Sequence, residues 1–144
     1  MKLAAALKEK NKITKKLAEI QKLVNQHNSV IKGNSRPFDV AAKLTELDTL
    51  TEKLVQLKAA IAASNQPINR HILHVGELRS QIAFLRKLDV KDGFVHERYG
   101  STTTEHDAQV KQSEVLTLIE KKEGEIESLQ EIIDQHNHNT DITI

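Results

Sequence analysis

The stretch LAAALKEKNKITKKLAEIQKLVNQH, Leu3 to His27, decides the fold. Within it Leu3, Ala6, Lys10, Ile13, Leu17, Ile20, Val24 and His27 recur at alternating spacings of three and four. That is a heptad seam, one apolar stripe along a helix, with Lys10 as its charged intruder.

The same rule recurs down the chain. Val40, Leu44, Leu47, Leu50, Leu54, Leu57 and Ile61 define a second helix, and His71, Val75, Leu78, Ile82 and Leu85 a shorter third. Val115, Ile119, Lys122, Ile126, Leu129, Ile133 and His136 define a fourth. Breaks fall at Lys32 to Pro37, at Ala63 to Pro67, and from Asp92 to Thr104, where turn formers gather. Ser35 or Arg36 is the expected N-cap of the second helix, with Pro37 in its first turn. Thr104 and Asp107 fit a capping box opening the fourth helix. Phe94–Tyr99 and Ser101–Thr104, rich in β-branched and aromatic residues around Gly100, form a short hairpin-like loop between helices three and four.

The expected fold is all-α: a four-helix antiparallel bundle of long coiled-coil-like helices forming a single domain over residues 1–144. Helices one, two and four would each run about 25 to 30 residues, or about 37 to 45 Å. Rods of that length with one narrow stripe each leave seam unburied at their ends, so a homo-oligomer is expected. Composition agrees. Hydrophobic residues make up 38% of the chain, and Phe38, Phe84, Phe94 and Tyr99 are its only aromatics, too few for a thick layered core.

There is no cysteine, which excludes disulfides, thiolate metal sites and cysteine catalysis. Lys8, Glu9 and Lys10 interrupt the apolar patch Leu3–Leu7 before it reaches the length of a signal core, and no window has the roughly 20 apolar residues of a membrane span. A cytoplasmic protein is expected. No glycine-rich phosphate loop, GxSxG, HExxH or di-iron ExxH pair is present, so no enzyme and no cofactor are expected.

Charge is divided between the ends. Met1 to Lys32 carries eight lysines against Glu9 and Glu19, whereas Glu105 to Asp141 carries ten acids against Lys111, Lys121 and Lys122. Because no arginine or aromatic residue is interleaved among the first lysines, mutual pairing of helix one with helix four, within or between subunits, is preferred over nucleic-acid binding.

Seven histidines remain. His71 and His74 share one helical face, with Glu77 following, a pattern open to a divalent transition metal. In an up-and-down bundle the start of helix three meets the end of helix four, gathering His71, His74, His136 and His138 as the candidate metal set. The preferred reading is that His71 and His74 cap or solvate the start of helix three. Gln26-His27-Asn28 and Gln135-His136-Asn137 then read as convergent helix endings, each His closing a seam and each Asn suited to a C′ position with positive φ.

MKLAAALKEKNKITKKLAEIQKLV, AAIAASNQPINR, LRSQIAFLRKL and IIDQHNHNTDI together resemble the septicolysin-like family of small bacterial all-helical proteins. The polar positions Ser64-Asn65, Arg98-Tyr99, Asn137 and Thr140 carry much of the likeness, which covers nearly the whole chain. It implies an oligomeric helical bundle of unassigned biochemical role and brings no catalytic residues with it. The expected function is therefore a non-enzymatic homo-oligomeric protein of structural or interaction type, with no nucleic acid or membrane as partner. Metal binding through the histidines is the alternative; a membrane-active cytolysin, as the family's name suggests, is the second.

Overall fold

The computed structural model describes residues 1–96, 99–100 and 102–144; Glu97, Arg98 and Ser101, all in the expected hairpin loop, lie outside the described residues. The protein is mostly helical with one small two-stranded sheet. Its elements are α1 (Leu3–His27), α2 (Val40–Asn65), a 3-10 turn (Gln66–Ile68), α3 (Asn69–Arg86), β1 (Gly93–His96), β2 (Thr103–His106) and α4 (Gln112–Asn139). The chain divides into two compact units, Met1–Pro67 with Gln135–Ile144, and Ile68–Asp134.

In the first unit the α1 seam faces inward as its period requires: Leu3, Ala6, Ile13 and Ile20 are buried, and Lys10, Leu17, Val24 and His27 are half-buried. Leu3, Ala6, Ile13 and Leu17 of this seam pack with Leu54, Leu57 and Ile61 of α2. Ion pairs Lys16–Glu46 and Lys53–Glu9, both 3.1 Å, link falling positions on α1 to rising positions on α2, so the two helices are antiparallel. Lys43 and Lys16 both donate to Glu46 and hold its carboxyl below the usual range.

The start of α1 is closed from the other end of the chain. Lys2 offers no side-chain cap, and the Leu3 N–H instead donates to the Thr140 carbonyl at 2.9 Å. The Ile142 N–H donates to the Met1 carbonyl at 2.8 Å, Lys2 and Asp141 pair at 2.7 Å, and Ile142 is buried against the core. This antiparallel bridge satisfies one N–H group at the start of α1, that of Leu3, that would otherwise face water.

The turn between α1 and α2 differs from expectation. Asp39 is the N-cap of α2, accepting from the Ala41 N–H at 2.9 Å, because its carboxylate sits one step before the helix and Pro37 lies outside it. Arg36 closes the preceding helix: its guanidinium donates to the carbonyls of His27 (3.2 Å) and Asn28 (2.9 Å). The break at Pro67 is also narrower than expected. Gln66, although it precedes proline, stays right-handed helical at φ −51°, ψ −43°, and one 3-10 turn separates α2 from α3.

In the second unit α3 and α4 pack by the same rule. Ile68 and Val75 meet Ile133, while Ile82 meets Val115 and Ile119, an antiparallel pairing braced by Arg86–Glu123 at 2.9 Å. The hairpin expectation holds at its described strands, which pair Phe94 with Glu105, Val95 with Thr104 and His96 with Thr103. Gly93 opens β1 at φ 78°, a conformation that favours glycine. The capping box does not form. Thr104 belongs to β2, where its β-branched side chain suits a strand and its hydroxyl meets His106 Nε2 at 2.9 Å; α4 starts later, at Gln112.

Asp92 ties the base of this hairpin to the segment before α4. Its Oδ1 accepts from the Ala108 N–H at 3.1 Å and from Lys111 Nζ at 2.8 Å, and chiefly the Lys111 bond lowers its pKa below the ordinary carboxylate value. A depressed folded-state pKa means that the contribution is complete above the unfolded value and lost as pH falls through the lower, folded one. The Ala108 amide resonance is therefore expected to move in acid, at a midpoint below that of an unperturbed aspartate, and Asp92→Asn is expected to abolish the movement. A midpoint at the ordinary value would show the staple to be absent in solution.

Candidate functional site

Ser64 and Thr140, two of the polar positions singled out in the sequence, converge with His136 at one place in the first unit. α4 does not end at its Gln135-His136-Asn137: it continues to Asn139, with the Thr140 N–H donating to the His136 carbonyl at 2.9 Å. Asn28, the last residue of the first such triplet, is right-handed at φ −63°, and among the described residues no non-glycine has a positive φ. The first triplet thus ends a helix without a left-handed asparagine, and the second lies inside one.

What the second triplet does is place the His136 ring across from the end of α2. His136 Nε2 lies 2.9 Å from the Ser64 carbonyl, and Nδ1 lies 3.3 Å from Thr140 Oγ1. A carbonyl only accepts, so Nε2 carries the proton and donates. In the neutral ring Nδ1 then accepts from the Thr140 hydroxyl. Ser64 is in the last turn of α2, where carbonyls run short of intrahelical donors, and His136 supplies its carbonyl with one. Beside it Asn65 Oδ1 is buried without a hydrogen-bond partner. The arrangement is a side-chain clamp on a helix terminus, and both ring nitrogens are used in it.

The other candidate residues are distributed as follows. His71 is half-buried and His74 exposed, both on α3 in the second unit; His136 and His138 belong to the first. His74 borders an open groove of about 470 Å³ shared with Lys121, Gly124, Glu125, Ser128 and Leu129. His27 packs edge-on against Phe38 at 5.3 Å, and His96 meets Thr103 Oγ1 at 3.1 Å. Among the described residues no group of three or more His, Cys, Asp or Glu side chains is placed to hold a metal ion. Likewise, no described helix is long and apolar enough to cross a membrane.

No protein-family model, no curated protein and no solved structure matches this chain. Of the polar positions Ser64, Asn65, Asn137 and Thr140 singled out in the sequence, Ser64 and Thr140 bond the His136 ring and Asn65 adjoins Ser64, while Arg98 lies outside the described residues.

Sequence reasoning identified His136 as a ring closing a seam with a nitrogen reaching water or a terminal carbonyl, but did not identify Ser64 as the carbonyl. The carbonyl of Ser64 carries no side-chain signal, and only the polar Ser64-Asn65 step after an apolar helix marks the place. The terminal bridge was also missed. Ile142, the first aliphatic residue beyond the polar run His136 to Asp141, was its available sign.

Proposed function

We propose that this chain is the subunit of a cytoplasmic, non-enzymatic homo-oligomer of structural or protein-interaction type. Its four helices would form one helical domain, a four-helix antiparallel bundle within each subunit. The observation that supports this is the surface. The chain exposes 10839 Å². Two fully separate compact bodies of half its mass would together expose only about 9,000 Å². The excess, about 1,800 Å² per chain, doubles for a pair of copies to a value within the range of about 2,000–5,000 Å² typical of obligate homodimers.

Part of that surface is apolar side chain: Leu44 on the α2 seam is 46% exposed and Leu116 beside the α4 seam 59%, while Leu73 (61%) and Phe84 (63%) lie on the face of α3 turned away from its seam. Each unit is two helices thick and packed through one stripe, the arrangement that a second pair of helices covers in a bundle.

Native mass spectrometry before and after a chelator tests the reading. One discrete oligomer of unchanged metal-free mass is the expected result. A monomer at micromolar concentration would overturn it. A mass surplus of whole metal ions, lost on chelation and in His71→Ala and His136→Ala, would replace it with the metal-binding alternative.

A further inference from the structure

The lysines that make α1 basic are largely not the ones used inside the first unit. Lys16 reaches Glu46 on α2, and the acid Glu9 receives Lys53. Lys8, Lys12, Lys15, Glu19 and Lys22 instead form an exposed row at spacings of four, three, four and three. Each lies two positions beyond a residue of the buried seam, hence about 200° around the helix from it.

A second row lies on α4. Glu120, Glu123, Glu127, Gln130 and Asp134 recur at three, four, three and four, one position beyond the seam residues Ile119, Lys122, Ile126, Leu129 and Ile133. Arg86 pairs with Glu123 and offsets one acid of the row, whereas the hydrogen bond from the neutral Gln130 Nε2 to Asp134 Oδ1 at 3.0 Å leaves that carboxylate's charge in place. Both rows cover the same number of residues, about 21 Å of helix each.

The order of charges selects an orientation. The α1 row reads positive, positive, positive, negative, positive, and the α4 row reads negative, negative, negative, neutral, negative. Laid parallel, all four lysines meet acids, and Glu19, the one misfit, meets Gln130, the one uncharged position. Laid antiparallel, Glu19 meets Glu123 and Lys12 meets the neutral Gln130. A polyanion gives no role to Glu19, which would repel it.

We propose that in the homo-oligomer α1 of one copy runs parallel to α4 of a second copy. In this register Lys8, Lys12, Lys15 and Lys22 face the second copy's acids at 120, 123, 127 and 134, and Glu19 faces its Gln130. The inference rests on the homo-oligomer reading and names the surface by which it assembles. Exposed ion pairs are individually weak, so the rows fix orientation and register while apolar surface supplies affinity.

The chain has no cysteine, which makes the test direct. Glu19→Cys and Gln130→Cys are made as separate single variants, co-assembled and oxidised. Because each chain carries one thiol, a mixed covalent dimer forms only between copies, and only where the two Cα atoms approach to about 4.4–6.8 Å. The mixed dimer is expected for 19 with 130, and for Lys15→Cys with Glu127→Cys as an independent pair in the same register. It is not expected for Lys12→Cys with Gln130→Cys. Cross-linking of 12 with 130 instead, or of no pair in a protein whose native mass is oligomeric, overturns the register alone. A monomeric native mass overturns the register together with the oligomer.

Discussion

Replacing Leu57 by alanine is expected to destabilise the first unit by about 2–5 kcal/mol, measured as a fall in the urea midpoint at constant slope. Leu57 is 1% exposed and, with Leu3, is one of the largest fully buried side chains among the described residues. Its neighbours Leu54, Ile61, Leu3, Ala6 and Ile142 come from α2, α1 and the C-terminal segment at once. Truncation therefore opens a cavity where three pieces of chain meet, and little around it can collapse to fill the space. The control is Leu44→Ala on the same seam, where 46% exposure limits the loss to about 0.5 kcal/mol. Equal effects at the two positions would show that the α1–α2 core is not centred where Leu57 sits.

Leu44 and Leu57 also mark how far the fold was legible. Period identifies a face, and it did so at every helix: Leu3, Ala6, Ile13 and Ile20 on α1, Val75, Leu78 and Ile82 on α3, and Val115, Ile119 and Ile133 on α4 are all buried. Period does not say how long the partner is. Leu44 lies where α1 approaches its end, bordering an open cleft with Val24 and Asn28, and so stays exposed on a seam position. Lys10 and Lys122, the charged intruders, are half-buried, as expected where a long aliphatic stem lies along the seam with its ammonium in water.

Local punctuation was harder to read than the seams. Ser35, Arg36, Thr104 and Asp107 are all chemically able to cap, yet only geometry decides which side chain reaches a free N–H, and Asp39 took that role at α2. Thr104 went to a strand because its neighbours could pair with Phe94–His96. Pairings between distant segments, such as Lys2 with Asp141, left no periodic trace in the sequence.

The same limit applies to the candidate site, and His136 gives it a measurable form. His136→Ala is expected to cost about 1–3 kcal/mol, because it removes the donor from a partly buried Ser64 carbonyl and the acceptor from the Thr140 hydroxyl. Thr140→Val removes only the second of these bonds and is expected to cost about 0.5–1.5 kcal/mol. Since the two residues share one ring, the double variant should fall short of the sum of the singles. The series separates a clamp from a metal ligand. A clamp works through a carbonyl and a hydroxyl, so its loss is the same size with or without chelator. A ligand works through a cation, so the wild-type protein would lose stability to the chelator and His136→Ala would lose nothing more. Both ring nitrogens of His136 are already hydrogen-bonded, and a metal would have to displace Thr140 from Nδ1 or Ser64 from Nε2. The chelator-independent outcome is therefore the expected one, and a chelator-dependent loss would place His136 in a metal site.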